Sequence, residues 1–154
     1  FLLGILAVGS SELALPSIIL FAAAYAAMNL GAFAVAAATG RSLNDFAGLG
    51  RARPLMGIAM VIFLLSLVGI PPLAGFVGKF MLFGATIDAQ FTWLAVVAII
   101  NSVLSLAVYL RIIVPMGRSG ESASVATEPW HGVVVIMAFS ATLIIGLGAQ
   151  FFLV

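Results

Sequence analysis

SLVGIPPLAGFVGKFMLF, residues 66–83, decides how the rest of the chain is read. A long apolar run is interrupted there by Gly69, Pro71, Pro72 and Gly75, and a single Lys79 follows. Proline removes a backbone donor and breaks a helix, and in hydrocarbon the freed polar groups find no water. Non-helical backbone at that depth survives only where it is buried in protein or lines a wet cavity. A lysine at the bilayer centre costs roughly 2.5–3.5 kcal/mol on insertion scales, so it marks a functional position by default. A broken helix beside a lone lysine reads as a place where a cation or proton is handled.

The composition around that stretch demands a membrane. Of the 154 residues, 64% are hydrophobic and 7% charged, with a mean hydropathy of +1.33, whereas a soluble domain carries about 25% charged residues. A spanning helix takes about 20 apolar residues, which leaves room for about four or five spans. The alternating segments of about ten residues that a transmembrane barrel needs are not visible. A net charge of +1 gives no electrostatic footprint for nucleic acid. With no cysteine, the chain holds no disulfide, iron–sulfur cluster or thiolate metal site. Phe1 opens inside an apolar run with no basic region before it, so the sequence is expected to be the C-terminal part of a longer polypeptide.

The apolar runs on either side of the break predict the remaining spans. Residues 1–9 read as the tail of one helix, with Ser10, Ser11 and Glu12 in a turn and Pro16 in the first turn of a helix over 13–39. Ala22, Ala23, Ala24, Ala26, Ala27 and Gly31 would let neighbouring helices approach closely. Residues 40–53 carry Arg41, Asp45, Arg51 and Arg53 and read as a loop. The interrupted segment covers 54–88. A helix over 91–114 is polar on part of its surface through Asn101, Ser102, Ser105 and Tyr109. A second polar loop over 117–128 precedes a final span over 129–152, with Trp130 at its edge.

Segment 54–88 is long enough to cross once as a broken helix or twice as two short helices, since 17 residues is about the lower limit for a span. A single crossing puts the basic loops 40–53 and 115–128 on one side and, with Arg111, gathers every arginine there. Two crossings would divide them, so the positive-inside rule favours one broken crossing. That choice places both basic loops in the cytoplasm and Lys79 near mid-membrane, in the first turn after the break. In the two-crossing alternative Lys79 lies about 9 Å from a helix start and could snorkel to the interface.

SLVGIPPLAGFVGKF, preceded by DFAGLGRARP at 45–54 and followed by NSVLSLAVYLR at 101–111, resembles the C-terminal part of the subunit N family of respiratory complex I. AAAYAAMNLGAF at 22–33 resembles the tyrosine-containing helix of the same antiporter-like, Mrp-related family. Nearly the whole chain is covered, and GFVGKF is the most specific part. The sister subunit M type has glutamate where Lys79 stands. The resemblance implies an all-α, fourteen-helix antiporter-like fold of two inverted repeats, each with a discontinuous helix. It implies a proton-translocating subunit of NADH:quinone oxidoreductase in the bacterial plasma membrane, among other membrane subunits of the complex. NADH, FMN, iron–sulfur clusters and quinone are then expected on those other subunits, with no cofactor and no metal in this chain.

At the candidate site the chemistry is acid–base. A relay group must take up and return a proton, and free lysine titrates near 10.4, too high to release one readily. Withdrawal from water penalises the charged form, so Lys79 beside opened backbone is a group able to alternate between charged and neutral. The carbonyls freed by Pro71 and Pro72 could hold water or stabilise the cation. Tyr25, Ser66, Asn101, Ser105 and Tyr109 could carry a hydrated path to it. Glu12 reads as a helix cap, Asp88 and His131 as interfacial residues, Arg111 as a surface anchor, and Asn29 as an interhelical bond. Two rival functions share these features: a cation/proton antiporter or membrane-bound hydrogenase subunit of the same fold, and a scaffold span whose lysine only pairs with a neighbour.

Overall fold

Only helices and closed barrels satisfy every backbone group inside hydrocarbon. In the computed structural model, which describes residues 2–40, 42–118 and 129–151, every regular element is helical. The order is α1 (Leu2–Ala7), α2 (Ala14–Thr39), a 3-10 turn (Leu43–Phe46), α3 (Leu49–Ala52), α4 (Pro54–Val68), α5 (Ala74–Asp88), α6 (Thr92–Met116) and α7 (Pro129–Phe151). Of these, α2, α6 and α7 are each long and apolar enough to cross a membrane. The hydroxyls of Ser17, Thr39, Thr86 and Thr142 are buried and donate to carbonyls one turn back on their own helices, at 2.7–2.8 Å. Their polarity is satisfied without a partner helix.

Helices α4 and α5 have 15 residues each, about 22 Å apiece, so neither alone spans a core of about 30 Å. Their packing on α2 shows that they share one crossing. Ala14 packs on Ala85, Phe21 on Gly78, Ala24 and Met28 on Ala74, and Gly31 against the Phe63 ring. Val35 then joins Ala59 and Met60 in the main core. Numbers rise along α2 while they fall along α5 and then α4, so the two halves lie in line and antiparallel to α2. The segment is one discontinuous transmembrane helix.

The other two spans flank it. Val135 and Ala138 of α7 join the core around Phe63, Phe139 meets Phe63 edge-on at 6.3 Å, and Gly146 abuts Ala74. Helix α7 therefore runs parallel to α4 and α5. Ile99 and Val103 of α6 face Phe76, Phe80 and Phe83, whereas Met116 packs near Leu49, so α6 runs the opposite way.

Residues 42–53 are more ordered than the polar loop expected over 40–53. Ser42 N–H donates to Asp45 Oδ2 at 2.8 Å and Ser42 Oγ accepts from Asn44 N–H at 3.3 Å, a cap that starts the 3-10 turn. Gly48 at φ 74° then starts α3, and Phe46 and Leu49 are buried in the core. Gly48 N–H donates to Pro115 O at 3.2 Å, which pins this segment to the end of α6. Residues 40, 42–53 and 115–118 thus share one end of the bundle. Arg41, residues 119–128 of the second basic loop, and Phe152 at the expected end of the last span lie outside the described residues. At the opposite end Ser11 Oγ donates to Asp88 Oδ2 at 3.2 Å. Leu13, not Glu12, takes the cap position of α2, and no side chain bonds there as a cap.

Candidate functional site

Every helix ends with four carbonyls that lack an intrahelical donor. For α4 these belong to Leu65, Ser66, Leu67 and Val68, and each has an identifiable fate. Gly69 closes the helix in the left-handed region at φ 96°, a conformation that glycine adopts without steric cost. Gly69 N–H then donates to Ser66 O at 3.0 Å and Ile70 N–H to Leu65 O at 3.2 Å, which satisfies two of the four. The donors that would serve Leu67 O and Val68 O in a continued helix sit four residues on. Those positions are Pro71 and Pro72, which have no N–H.

Lys79 takes both orphans. Its Nζ donates to Leu67 O at 2.8 Å and to Val68 O at 3.0 Å. A third bond runs to Ser102 Oγ on α6 at 3.0 Å. Three acceptors match the three donors of an ammonium, and the negative end of the α4 dipole points the same way. Lys79 is the sixth residue of α5, so it stands in the second turn after the break and reaches back across it.

The rest of the break is shaped to allow that reach. Gly75 lies so close to Ser66 that a Cβ would overlap the Ser66 carbonyl. Gly75 N–H donates to Ser66 Oγ at 3.1 Å, so the buried serine caps the first turn of α5. Lys79, Ser102, Val68 and Gly69 line a cleft of about 310 Å³ whose remaining wall includes Phe76 and Phe80, stacked at 5.8 Å. The amine is half-buried, on the edge between packed backbone and open space.

The other expected lining residues lie on α2 and α6. Asn101 is exposed on α6, and its carbonyl accepts from Ser105 Oγ at 2.9 Å, so that serine bonds its own helix. Tyr109 packs against the core beside α4. Tyr25 is partly exposed on α2, tilted against Phe21 at 5.7 Å, and its carbonyl accepts from Asn29 Nδ2 at 2.8 Å. Asn29 thus bonds within its helix. Ser102 is the hydroxyl that the sequence reading passed over in favour of its neighbours. His131 is buried, stacks on Trp130 at 3.8 Å, and its Nδ1 has no hydrogen-bond partner among the described residues. Among those residues no group of three His, Cys, Asp or Glu could hold a metal.

Comparison with known proteins shows the family. A family model described as NADH:quinone oxidoreductase/Mrp antiporter, transmembrane, matches residues 1–105. NADH-quinone oxidoreductase subunit N of Mycobacterium sp. (strain JLS) is 41% identical over 145 residues, covering 90% of this chain and 31% of that protein. F(420)H(2) dehydrogenase subunit N of Methanosarcina mazei is 38% identical over 154 residues, covering 89% of this chain and 31% of that protein. A chain of respiratory complex I from Thermus thermophilus with bound aureothin superposes with a TM-score of 0.82 at 29% identity. The match covers 94% of this chain and 34% of the Thermus one. The chain thus spans about a third of the length of the relatives it matches.

Proposed function

The chain belongs to the NADH:quinone oxidoreductase/Mrp antiporter family of membrane proteins, and from that premise we propose that it forms part of a proton-translocating subunit of complex I. Lys79 is the relay group. The observation that carries this reading is the three-acceptor cage of Leu67 O, Val68 O and Ser102 Oγ around Nζ, at the edge of an open cleft. Inside hydrocarbon an ionisable group is costly and reads as a functional position by default.

In this reading Lys79 accepts a proton from the cleft, is held as an ammonium by the cage, and returns the proton when the surrounding field changes. The redox groups (NADH, FMN, iron–sulfur clusters and quinone) sit on other subunits, and neighbouring membrane subunits of the complex are the partners. The membrane is the bacterial plasma membrane, with the end that carries residues 42–53 and 115–118 facing the cytoplasm. The likeness to a subunit of an F(420)H(2) dehydrogenase supports a second reading of the electron donor. The same membrane part would then serve a complex oxidising F(420)H(2).

The test is Lys79→Met in the full-length subunit within the assembled complex, in sealed vesicles supplied with NADH and quinone. Normal assembly with turnover and pumping reduced to about a tenth or less is the expected result. Parent rates in an intact complex would make the lysine structural and end the relay reading.

A further inference from the structure

Ser102 holds a position that the relay reading alone does not explain. Its hydroxyl has one proton, and that proton is committed: Ser102 Oγ donates to Ala98 O at 3.0 Å. The same oxygen accepts from Lys79 Nζ at 3.0 Å. Resting on the proposed relay, we propose that Ser102 is a positioning residue whose hydroxyl turns between Ala98 O and Lys79 Nζ as the lysine loses and regains its proton.

The bond inventory supports this at each stage. As an ammonium, Lys79 has three donors, met by Leu67 O, Val68 O and Ser102 Oγ. On release, one N–H bond breaks, the proton passes to a water molecule in the cleft, and the electron pair stays on Nζ. The neutral amine keeps two donors and gains one lone pair. Leu67 O and Val68 O still accept the two donors. The lone pair then needs a donor, and Ser102 supplies it by rotating its O–H away from Ala98. Ala98 O loses little, because as an interior helical carbonyl it keeps the backbone N–H of Ser102 itself. Both protonation states are then satisfied after one hydroxyl rotation, with no backbone movement. Lys79 Nζ reaches Ser102 Oγ, whereas Asn101 is exposed and Ser105 Oγ donates to Asn101 O.

The test compares Ser102→Thr with Ser102→Val in the full complex, with Lys79→Met alongside, reading proton pumping per assembled complex. Threonine and valine share a shape and differ in the hydroxyl, and a helical threonine can make the same bond one turn back. Threonine within about twofold of the parent and valine down about tenfold is the expected pattern, the size of one lost hydrogen bond to a charged group. Equal pumping by the two variants, high or low, would overturn the inference, because packing and not the hydroxyl would then set the rate. If the two are equal while Lys79→Met still collapses, only the role of Ser102 is lost. If Lys79→Met pumps at the parent rate, the relay reading fails and takes this inference with it.

Discussion

Gly75 is where the site depends on the smallest feature of the sequence. A Cβ at this position would overlap the Ser66 carbonyl, which is backbone and cannot swing aside. Gly75→Ala should therefore separate the last turn of α4 from the first turn of α5, at a cost of about 1–3 kcal/mol. The expected outcome is a clear loss of assembled complex on native gels. Gly84→Ala on the same helix, where a Cβ meets nothing within 4 Å, should leave assembly unchanged. Equal assembly of the two variants would mean that the close approach at the break is not needed. The lysine and both prolines were legible in the sequence because their rules are local: proline has no donor, and its missing partner lies four residues back. The choice of Ser102 over Asn101 and Ser105 was not legible. Helix α6 is apolar around most of its circumference, with Val96, Val97, Ile99, Ile100, Val103, Leu104 and Val108 all exposed. No polar stripe fixes its rotation, so three polar residues within five positions could not be ranked without the packing.

At the scale of the element, the break is a device for making acceptors. A continuous helix would close Leu67 O and Val68 O with the N–H groups of residues 71 and 72, leaving the lysine only Ser102. Pro71→Ala or Pro72→Ala returns one such donor to compete with Lys79 for its carbonyl. Each single change should lower pumping about threefold to tenfold with assembly preserved, and the double change should lower it further, measured in sealed vesicles. Parent-like pumping in the double variant would detach the prolines from the lysine. The single broken crossing was legible from the arginine distribution alone. The ordered turns at 42–52 were not, because charged residues there disguise Phe46 and Leu49, which are buried against α4 and α6.

At the scale of the whole molecule, the four spans alternate in direction, so residues 45 and 118 belong at one end of the bundle and residue 90 at the other. The chain has no cysteine, which permits single-cysteine labelling with a membrane-impermeant thiol reagent. Asp45→Cys and Arg118→Cys should label from the same face, and Gln90→Cys from the opposite one. Labelling of Asp45→Cys and Gln90→Cys from one face, with Arg118→Cys from the other, would require two crossings between 54 and 88 and would undo the depth assigned to Lys79.

Proton exchange at Lys79, as distinct from a fixed positive charge, is the central claim, and Lys79→Arg tests it most directly. Arginine can place a cation among the same carbonyls but does not release its proton at any accessible pH. The measurement is proton pumping by the assembled complex in sealed vesicles with the arginine variant. Intact assembly with pumping reduced about tenfold or more is the result expected of a relay. Pumping at the parent rate would show that a permanent charge suffices, and would contradict the account.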